Sequence, residues 1–216
     1  FGETVFVGHY AGQNNTQSGT VGIGSQALQN NTGVQNVAVG YQALLNNRGG
    51  TRNTALGYRA LDVNNGGDAN TAIGNEALGN VNADRNVAIG DRAGFNITTG
   101  SANIAIGYLA LSGGTGSHCV AVGDNALSSD GSFEESVAIG DSALQTQTSG
   151  RNHAFGFHAL QDLTSGNYNT AVGGEAMENI TTGSGNVALG AFAGRAETTG
   201  ASQIFIGQQA GQSINN

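Results

Sequence analysis

The side chains best suited to catalysis or metal binding in this chain are four histidines and a single cysteine. The histidines are His9, His118, His153 and His158, and no pair of them has the spacing of metal ligands on a helix. We therefore interpret them as solvated or packed side chains. The single cysteine, Cys119, excludes an intrachain disulfide, and we interpret it as a small buried residue.

Acidic side chains are the other candidates for a metal site. Asp124 and Asp141 occupy the same place in successive copies of a repeat, and Asp91 occupies it two copies before Asp124. Like charges so placed must be solvated or bridged by a cation, so bound calcium is the alternative to simple solvation. The sequence contains no nucleophile elbow, no phosphate-binding loop and no paired catalytic carboxylates. We predict no enzyme activity, no catalytic residue, no cofactor and no metal.

Four aromatic side chains are candidates for contact with a ligand. Each of them directly follows a glycine at the same place in the repeat. Exposed rings there would offer an apolar face to a sugar or a protein. The alternative is that the rings only cover the edge of the coil. These candidates are Tyr41, Tyr58, Tyr108 and Phe157.

All of these side chains are positioned by a repeat of sixteen or seventeen residues. Its core pattern, Asn-x-Ala-apolar-Gly-x-x-Ala, can be followed from one end of the chain to the other. A period held over a whole chain is typical of a solenoid, in which each copy buries its apolar side by stacking on its neighbours. We predict an all-β solenoid of about thirteen coils, whose central glycines are Gly8, Gly24, Gly40, Gly57, Gly74, Gly90, Gly107, Gly123, Gly140, Gly156, Gly173, Gly190 and Gly207.

Composition narrows the class of protein and its partners. The 216 residues include 37 glycines and no proline, which suits a backbone whose N–H groups are needed in hydrogen-bond ladders. The net charge of −8 argues against nucleic acid and against an anionic membrane surface as partners. No apolar run approaches the roughly 20 residues that span a membrane, so we predict no membrane insertion by this segment. We expect residues 1–216 to form one repeat domain, a piece of a longer fibrous protein.

The three residues before each central glycine alternate large, small and large, and most of the large ones are β-branched. This pattern predicts a short strand with two different faces. We expect valine and isoleucine to point into the coil and alanine to form an outer apolar stripe that another chain approaches; the reverse orientation is the alternative. A second short strand is expected at the following apolar pair, as in Ala43–Leu44. The outward alanines would be Ala38, Ala55, Ala72, Ala88 and Ala105.

Columns of glycine and asparagine are predicted to hold the coils together. The central glycines are expected at a tight corner where a side chain would clash or where φ is positive. An asparagine stands four residues before eight of the central glycines, and its amide is expected to hydrogen-bond to that of its equivalent, about 4.8 Å away in the next coil. In-register stacking would also make charge neighbours of Arg59, Glu76 and Arg92, and of His158 and Glu175. The columns include Gly24, Gly40, Gly57, Gly74, Gly90 and Gly107, and Asn36, Asn53, Asn70, Asn86 and Asn103.

The segments NVAVG, NVAIG, SVAIG and NVALG resemble the head repeats of YadA-type trimeric autotransporter adhesins. The longer pattern Asn-Thr-Ala-apolar-Gly-Tyr-x-Ala-Leu is similar to repeats in phage and prophage tail-fibre proteins. The resemblance covers essentially the whole chain, and it implies a left-handed parallel β-roll built as a homotrimer. Two departures shift weight toward the fibre relatives: alanine replaces the final serine of the adhesin motif, and the period is longer.

Two hypotheses of function follow from the repeat and the resemblance. The first is a bacterial adhesin head, an extracellular segment anchored in the outer membrane that projects or presents a surface for attachment to host cells or matrix. The second is the shaft of a phage tail fibre or similar virion appendage that binds a cell-surface receptor. In both, the expected partners are two further copies of the chain and a host surface protein or glycan.

Overall fold

A computed structural model describes residues 2–212, and every regular element in that range is a β-strand. The strands are parallel and stack as a β-solenoid of about twelve turns, which confirms the predicted solenoid. No helix within residues 2–212 is long and apolar enough to cross a membrane. The chain divides into two compact units between Leu109 and Ala110, and each is described by itself below.

The first unit contains seven three-residue strands, which pair in chain order, and a second sheet of four two-residue strands. Equivalent residues of successive repeats pair directly, so that Ala38 lies beside Ala55. Each coil therefore adds one strand to the main sheet. The strands are β1 (Val5–Val7), β2 (Val21–Ile23), β3 (Asn30–Asn31), β4 (Val37–Val39), β5 (Asn46–Asn47), β6 (Thr54–Leu56), β7 (Val63–Asn64), β8 (Thr71–Ile73), β9 (Asn80–Val81), β10 (Val87–Ile89) and β11 (Ile104–Ile106).

The second unit repeats this arrangement with six three-residue strands and one pair of two-residue strands. Register is again set by the repeat, since Ala171 lies beside Ala154 on one side and Ala188 on the other. The strands are β12 (Val120–Val122), β13 (Ser132–Phe133), β14 (Val137–Ile139), β15 (Ser149–Gly150), β16 (His153–Phe155), β17 (Thr170–Val172), β18 (Val187–Leu189) and β19 (Ile204–Ile206).

The predicted orientation of the strands is wrong, because alanine points into the coil and the large residues point out. The predicted outer alanines Ala38, Ala55, Ala72, Ala88 and Ala105 are all fully buried. In the same strands Val37 and Leu56 are 38% and 46% exposed. The interior is instead filled by the alanine three residues after the central glycine and, in eight coils, by the leucine after it, as at Ala43 and Leu44. Where that leucine is present, only a methyl group fits opposite it.

The second predicted strand is also misplaced. Ala43 and Leu44 lie in a turn, and the two-residue strand β5 begins two residues later, at Asn46. Leu44 has φ +51°, outside the extended region that a strand requires. The same left-handed conformation recurs at Leu61 and Leu78. It turns the leucine side chain inward at a corner, where it provides the main apolar volume of the coil.

Two phenylalanines replace the inner alanine, and glycine makes room for each of them. Phe6 lies in β1, and a Cβ on Gly12 or Gly22 would come within 2.5 or 2.9 Å of its ring. Gly12 stands where other coils have leucine, and Gly22 where they have alanine. Phe205 in β19 has a similar contact, because a Cβ on Gly194 would lie 2.7 Å from its ring. A large side chain at one position is thus matched by small ones in the same and the adjoining coil.

Buried asparagine side chains link successive coils, as the sequence predicts, but in the first unit the amides bond to backbone groups of the next coil rather than to one another. The Oδ1 atom of Asn70 accepts a hydrogen bond from the backbone N–H of Asn86 at 2.9 Å. Its Nδ2 atom donates to the carbonyl of Ala83 at 2.8 Å. Asn86 makes the same pair of contacts with the N–H of Asn103 and the carbonyl of Gly100. Each amide therefore satisfies two backbone groups that would otherwise be buried without a partner.

A second buried asparagine column was not evident from the sequence, where these residues look like part of a polar turn. Asn47 donates from Nδ2 to Oδ1 of Asn31 at 2.6 Å, and Asn64 donates to Oδ1 of Asn47 at 2.8 Å. All three side chains are fully buried. Most later coils fill the corresponding space with apolar side chains, namely Val81, Ile97, Phe133, Leu163 and Ile180, but one coil keeps a buried polar side chain there, Gln147. This column is thus polar in the early coils and mostly apolar in the later ones.

Candidate functional site

Large apolar side chains line the outer face of the long strands in both units. They stand one and three residues before the central glycines, and we call them the outer apolar stripe. No Asp, Glu, Lys or Arg occupies these positions. Its most exposed members are Val5, Val7, Ile23, Val37, Leu56, Ile89 and Ile104 in the first unit, and Ile139, Phe155, Val172, Val187, Leu189, Ile204 and Ile206 in the second.

Two of the four candidate ligand-contact residues form one aromatic surface. The rings of Tyr41 and Tyr58 stack with centroids 5.5 Å apart and planes 14° apart, and each residue is about half exposed. Tyr108 belongs to the same column, but it lies three coils beyond Tyr58, about 14 Å away at one strand spacing per coil. Phe157, in the second unit, stacks on His158 at 3.6 Å. The structure therefore brings Tyr41 and Tyr58 together and does not bring Tyr108 to them.

Charged side chains form a ladder beside these tyrosines, which confirms the predicted neighbours Arg59, Glu76 and Arg92. Glu76 lies 3.5 Å from the guanidinium of Arg59 and 2.9 Å from that of Arg92. Arg59 also donates to the buried carboxylate of Asp62 at 2.6 Å. The hydrogen bond to Asp62 raises the pKa of Arg59, and the one to Glu76 raises the pKa of Arg92. These pairs join three successive coils at this edge.

The second unit has a comparable group of charges, but its pairing differs from the prediction. Glu175 contacts Arg195 at 3.0 Å, and Nδ1 of His158 lies 3.4 Å from Glu178. The expected contact between His158 and Glu175 is thus replaced by one to Glu178, which also accepts a hydrogen bond from Arg195 at 2.7 Å. Coil register was predicted correctly, but Glu175 pairs with Arg195 of the following coil, and His158 pairs with Glu178 instead.

The aspartate column is held by neighbouring polar groups. Asp141 accepts a hydrogen bond from Oγ of Ser142 at 2.7 Å, and Asp91 accepts one from Asn75 at 3.2 Å. Within residues 2–212, no three His, Cys, Asp or Glu side chains come together as metal ligands.

A polar groove of about 310 Å³ in the second unit brings together side chains that sequence reasoning did not connect. It is lined by Glu135, Arg151, His153 and Tyr168, with Asn169 and Thr170. Only His153 stood out in the sequence, as the one exception in a column of Val, Ile and Thr. The others precede the strand by two residues, in a turn position that Gln, Arg and Ala occupy in other coils. A run of ionisable and aromatic residues in that column is the signal that would have revealed the groove.

Cys119 is fully buried in the asparagine column, and its Sγ lies 3.6 Å from the carbonyl oxygen of Phe133. Burial raises the pKa of its thiol to about 11. Because the thiolate is the nucleophile, we expect native Cys119 to react with iodoacetamide at pH 8 at least about 100-fold more slowly than the unfolded chain. The unfolded chain loses the thiol proton first, so stability should fall between pH 9 and pH 11.

Alkylation rates measured by mass spectrometry, with and without guanidinium, test this expectation. The variant Cys119→Ser serves as the control for the pH effect, since it should lose the fall in stability above pH 9. Equal alkylation rates in the native and unfolded states would show that the thiol is accessible.

No protein-family model, no curated protein and no solved structure matches this chain. Its function must therefore be inferred from its own side chains and from the resemblance of its repeats.

Proposed function

We propose that this chain is a structural and adhesive fibre segment, in which three copies associate through the outer apolar stripe. The assembly would be an extracellular β-roll that projects or presents a binding surface for host cells or matrix. No catalytic role, cofactor or metal belongs to this proposal. The observation that carries it is that each long strand directs two side chains outward, most of them large and apolar and all of them at least partly exposed.

The extent of the stripe favours an interface over a solvated surface. Seven strands at about 4.8 Å spacing give the first unit an apolar band about 29 Å long and two columns wide. Soluble monomers seldom expose so continuous an apolar surface, and such a surface commonly marks a protein interface. The chain has a net charge of −8, yet the stripe contains no charged residue that would repel another copy.

The correction to strand orientation changes which residues form the proposed seam. The sequence favoured the alanine column as the contact between chains, but those alanines are buried inside the coil. Valine, isoleucine and leucine take their place, and they offer more apolar area per strand. Three chains, rather than two, are proposed because of the likeness to trimeric adhesin heads and tail-fibre repeats.

The adhesive part of the proposal rests on exposed aromatic side chains next to the stripe. Tyr41 and Tyr58 form the candidate contact surface, while Tyr108 and Phe157 are separate candidates elsewhere in the column. Stacked phenol rings have apolar faces and hydroxyl groups, a combination found where proteins bind other proteins or glycans.

The second candidate function is the shaft of a phage tail fibre or similar virion appendage. The long period and the alanine that replaces serine in the repeat favour it. Both candidates use the same trimer, and they differ in location: a bacterial cell surface, with an outer-membrane anchor, or a virion surface. Flanking sequence separates them, because a coiled-coil stalk and a β-barrel anchor mark an adhesin, whereas a baseplate-attachment region marks a tail fibre.

We expect light scattering coupled to size exclusion to give a mass near 65 kDa, about three times the 21.6 kDa chain. Replacing Leu56 and Ile89 together by glutamate should shift this mass to that of one chain, because six charges would meet at the seam of a trimer. Thr99→Glu, in an exposed turn, is the matched control and should remain trimeric. A wild-type mass of 21.6 kDa at micromolar concentration would contradict the proposed trimer.

A further inference from the structure

The polar groove of the second unit has the features of a ligand site distinct from the tyrosine pair. Its four principal side chains are the carboxylate of Glu135, the guanidinium of Arg151, the imidazole of His153 and the phenol of Tyr168. They come from three successive coils and stand at the edge of the outer apolar stripe. In-register stacking thus places four kinds of group around one groove. Glu135 accepts hydrogen bonds, Arg151 donates them, His153 can do either, and Tyr168 supplies an aromatic ring.

The hydrogen-bonding capacity of Arg151 is largely unused. Its Nε lies 3.6 Å from Glu135, and its terminal nitrogen lies 3.8 Å from Glu134. Both separations exceed hydrogen-bond length, so the carboxylates attract the guanidinium without occupying its N–H groups. The side chain is about half exposed. A ligand in the groove would therefore meet ready donors beside ready carboxylate acceptors.

Tyr168 carries a highly exposed ring on a backbone that the coil ladder holds in place. Its backbone N–H donates to the carbonyl of Arg151 at 2.7 Å, so the coil ladder holds its main chain in place. The residue is 67% exposed, more than Tyr41 or Tyr58. A second groove of about 250 Å³, lined by Ser132, Glu134, Gly150 and Asn167, also borders Arg151 and Tyr168. The ring therefore stands between two polar grooves, with apolar surface available to either.

We infer that this double groove binds a neutral saccharide chain, with one sugar ring on Tyr168 and its hydroxyl groups on Arg151 and Glu135. A sugar combines an apolar C–H face with hydroxyl groups that donate and accept, which matches an aromatic ring that lies beside a guanidinium, with a carboxylate on the far side of that guanidinium. Phosphate and other anions are disfavoured by Glu134 and Glu135. An apolar small molecule is disfavoured too. Protein sites that bind such molecules are enclosed and mostly apolar, whereas these grooves are open and lined by polar side chains.

The full chain should be tested by saturation-transfer NMR with maltotriose and chitotriose as neutral probes. We expect transfer to be strongest at the protons on one face of a sugar ring, as stacking requires. Tyr168→Asn removes the ring and suits the left-handed backbone, where φ is +57°. It should weaken binding at least about tenfold. Arg151→Gln should weaken it to a similar degree.

Tyr10→Asn is the matched control, because Tyr10 is also an exposed tyrosine with a left-handed backbone, φ +59°, and this variant should bind the probe as the wild type does. Loss of binding in the double variant Tyr41→Ser/Tyr58→Ser, with retention in Tyr168→Asn, would assign the sugar to the tyrosine pair and overturn the inference. Absence of transfer to both probes would overturn it as well. A single-chain mass with sugar binding intact would contradict the proposed trimer alone, so the two proposals fail independently.

Discussion

Replacing Gly173 by alanine should destabilise the protein by at least about 3 kcal/mol, whereas the same change at the adjacent Gly174 should be neutral or slightly stabilising. Gly173 has φ +133°, and a Cβ built there would lie 2.5 Å from the carbonyl carbon of Gly190 in the next coil. Neither the conformation nor the space suits an alanine, and the obstacle is backbone that is itself paired. Gly174 has no atom within 4 Å of its Cβ position.

Urea unfolding followed by far-UV circular dichroism measures this difference, and the two variants differ only in which of two neighbouring glycines carries the methyl group. Gly174→Ala loses chain entropy only in the unfolded state, so its midpoint should stay the same or rise slightly. Equal midpoints for the two variants would mean that successive coils do not approach as closely as the glycine column indicates.

Asn70→Ala should lower the free energy of unfolding by about 3 kcal/mol, because it removes the side chain that hydrogen-bonds to two buried backbone groups. The N–H of Asn86 and the carbonyl of Ala83 would both lose their hydrogen bonds to the amide. Asn30 makes the same number of contacts, since it accepts from Asn14 and donates to Asn46, but this ladder is exposed to solvent. Water can replace those bonds, so Asn30→Ala should change stability by less than about 0.5 kcal/mol.

The same unfolding experiment compares these two asparagine variants at matched loss of hydrogen bonds. A large difference would show that burial, and not the number of amide contacts, sets the value of the ladder. Similar values for Asn70→Ala and Asn30→Ala would indicate that water reaches the interior column.

The glycine and asparagine columns were predictable because each places a demand that few residues meet. Gly57 and its equivalents combine positive φ with contact between backbones, and no side chain other than hydrogen satisfies both. Asn53 and its equivalents supply a donor and an acceptor on one short side chain. A residue type that recurs at one place in the repeat therefore reveals its structural role directly.

Which face of each strand lies inside the coil was harder to predict. An alternation of large and small residues shows that the two faces differ, but not which of them is buried. Apolar size argued for Val37 and Val39 inside the coil, yet Leu44 already occupies that space. Leu44 has left-handed φ, a conformation that sequence patterns rarely indicate for leucine. The predicted position of the second strand was wrong for the same reason, because the left-handed φ of Leu44 places that residue in a turn.

The polar groove was missed because it depends on residues that share no repeat signature. Glu135, Arg151 and Tyr168 occupy a turn column in which residue type varies from coil to coil. Their proximity comes from the stacking of successive coils, and only the run of ionisable and aromatic residues in that column marks it in the sequence. Tyr41 and Tyr58 were easier to identify, since identical residues at one repeat position must be neighbours in a solenoid.

The rings of Phe6 and Phe205 each need neighbouring glycines, and this requirement limits how the protein can be lengthened by design. A middle coil, with alanine in its strand and leucine at its corner, can be duplicated as a cassette because its copy meets the same neighbours. A coil with phenylalanine cannot be duplicated alone, because its ring requires glycines such as Gly12 and Gly22, or Gly194, in the same and the adjoining coil. The transferable module at these places is therefore a pair of coils rather than one.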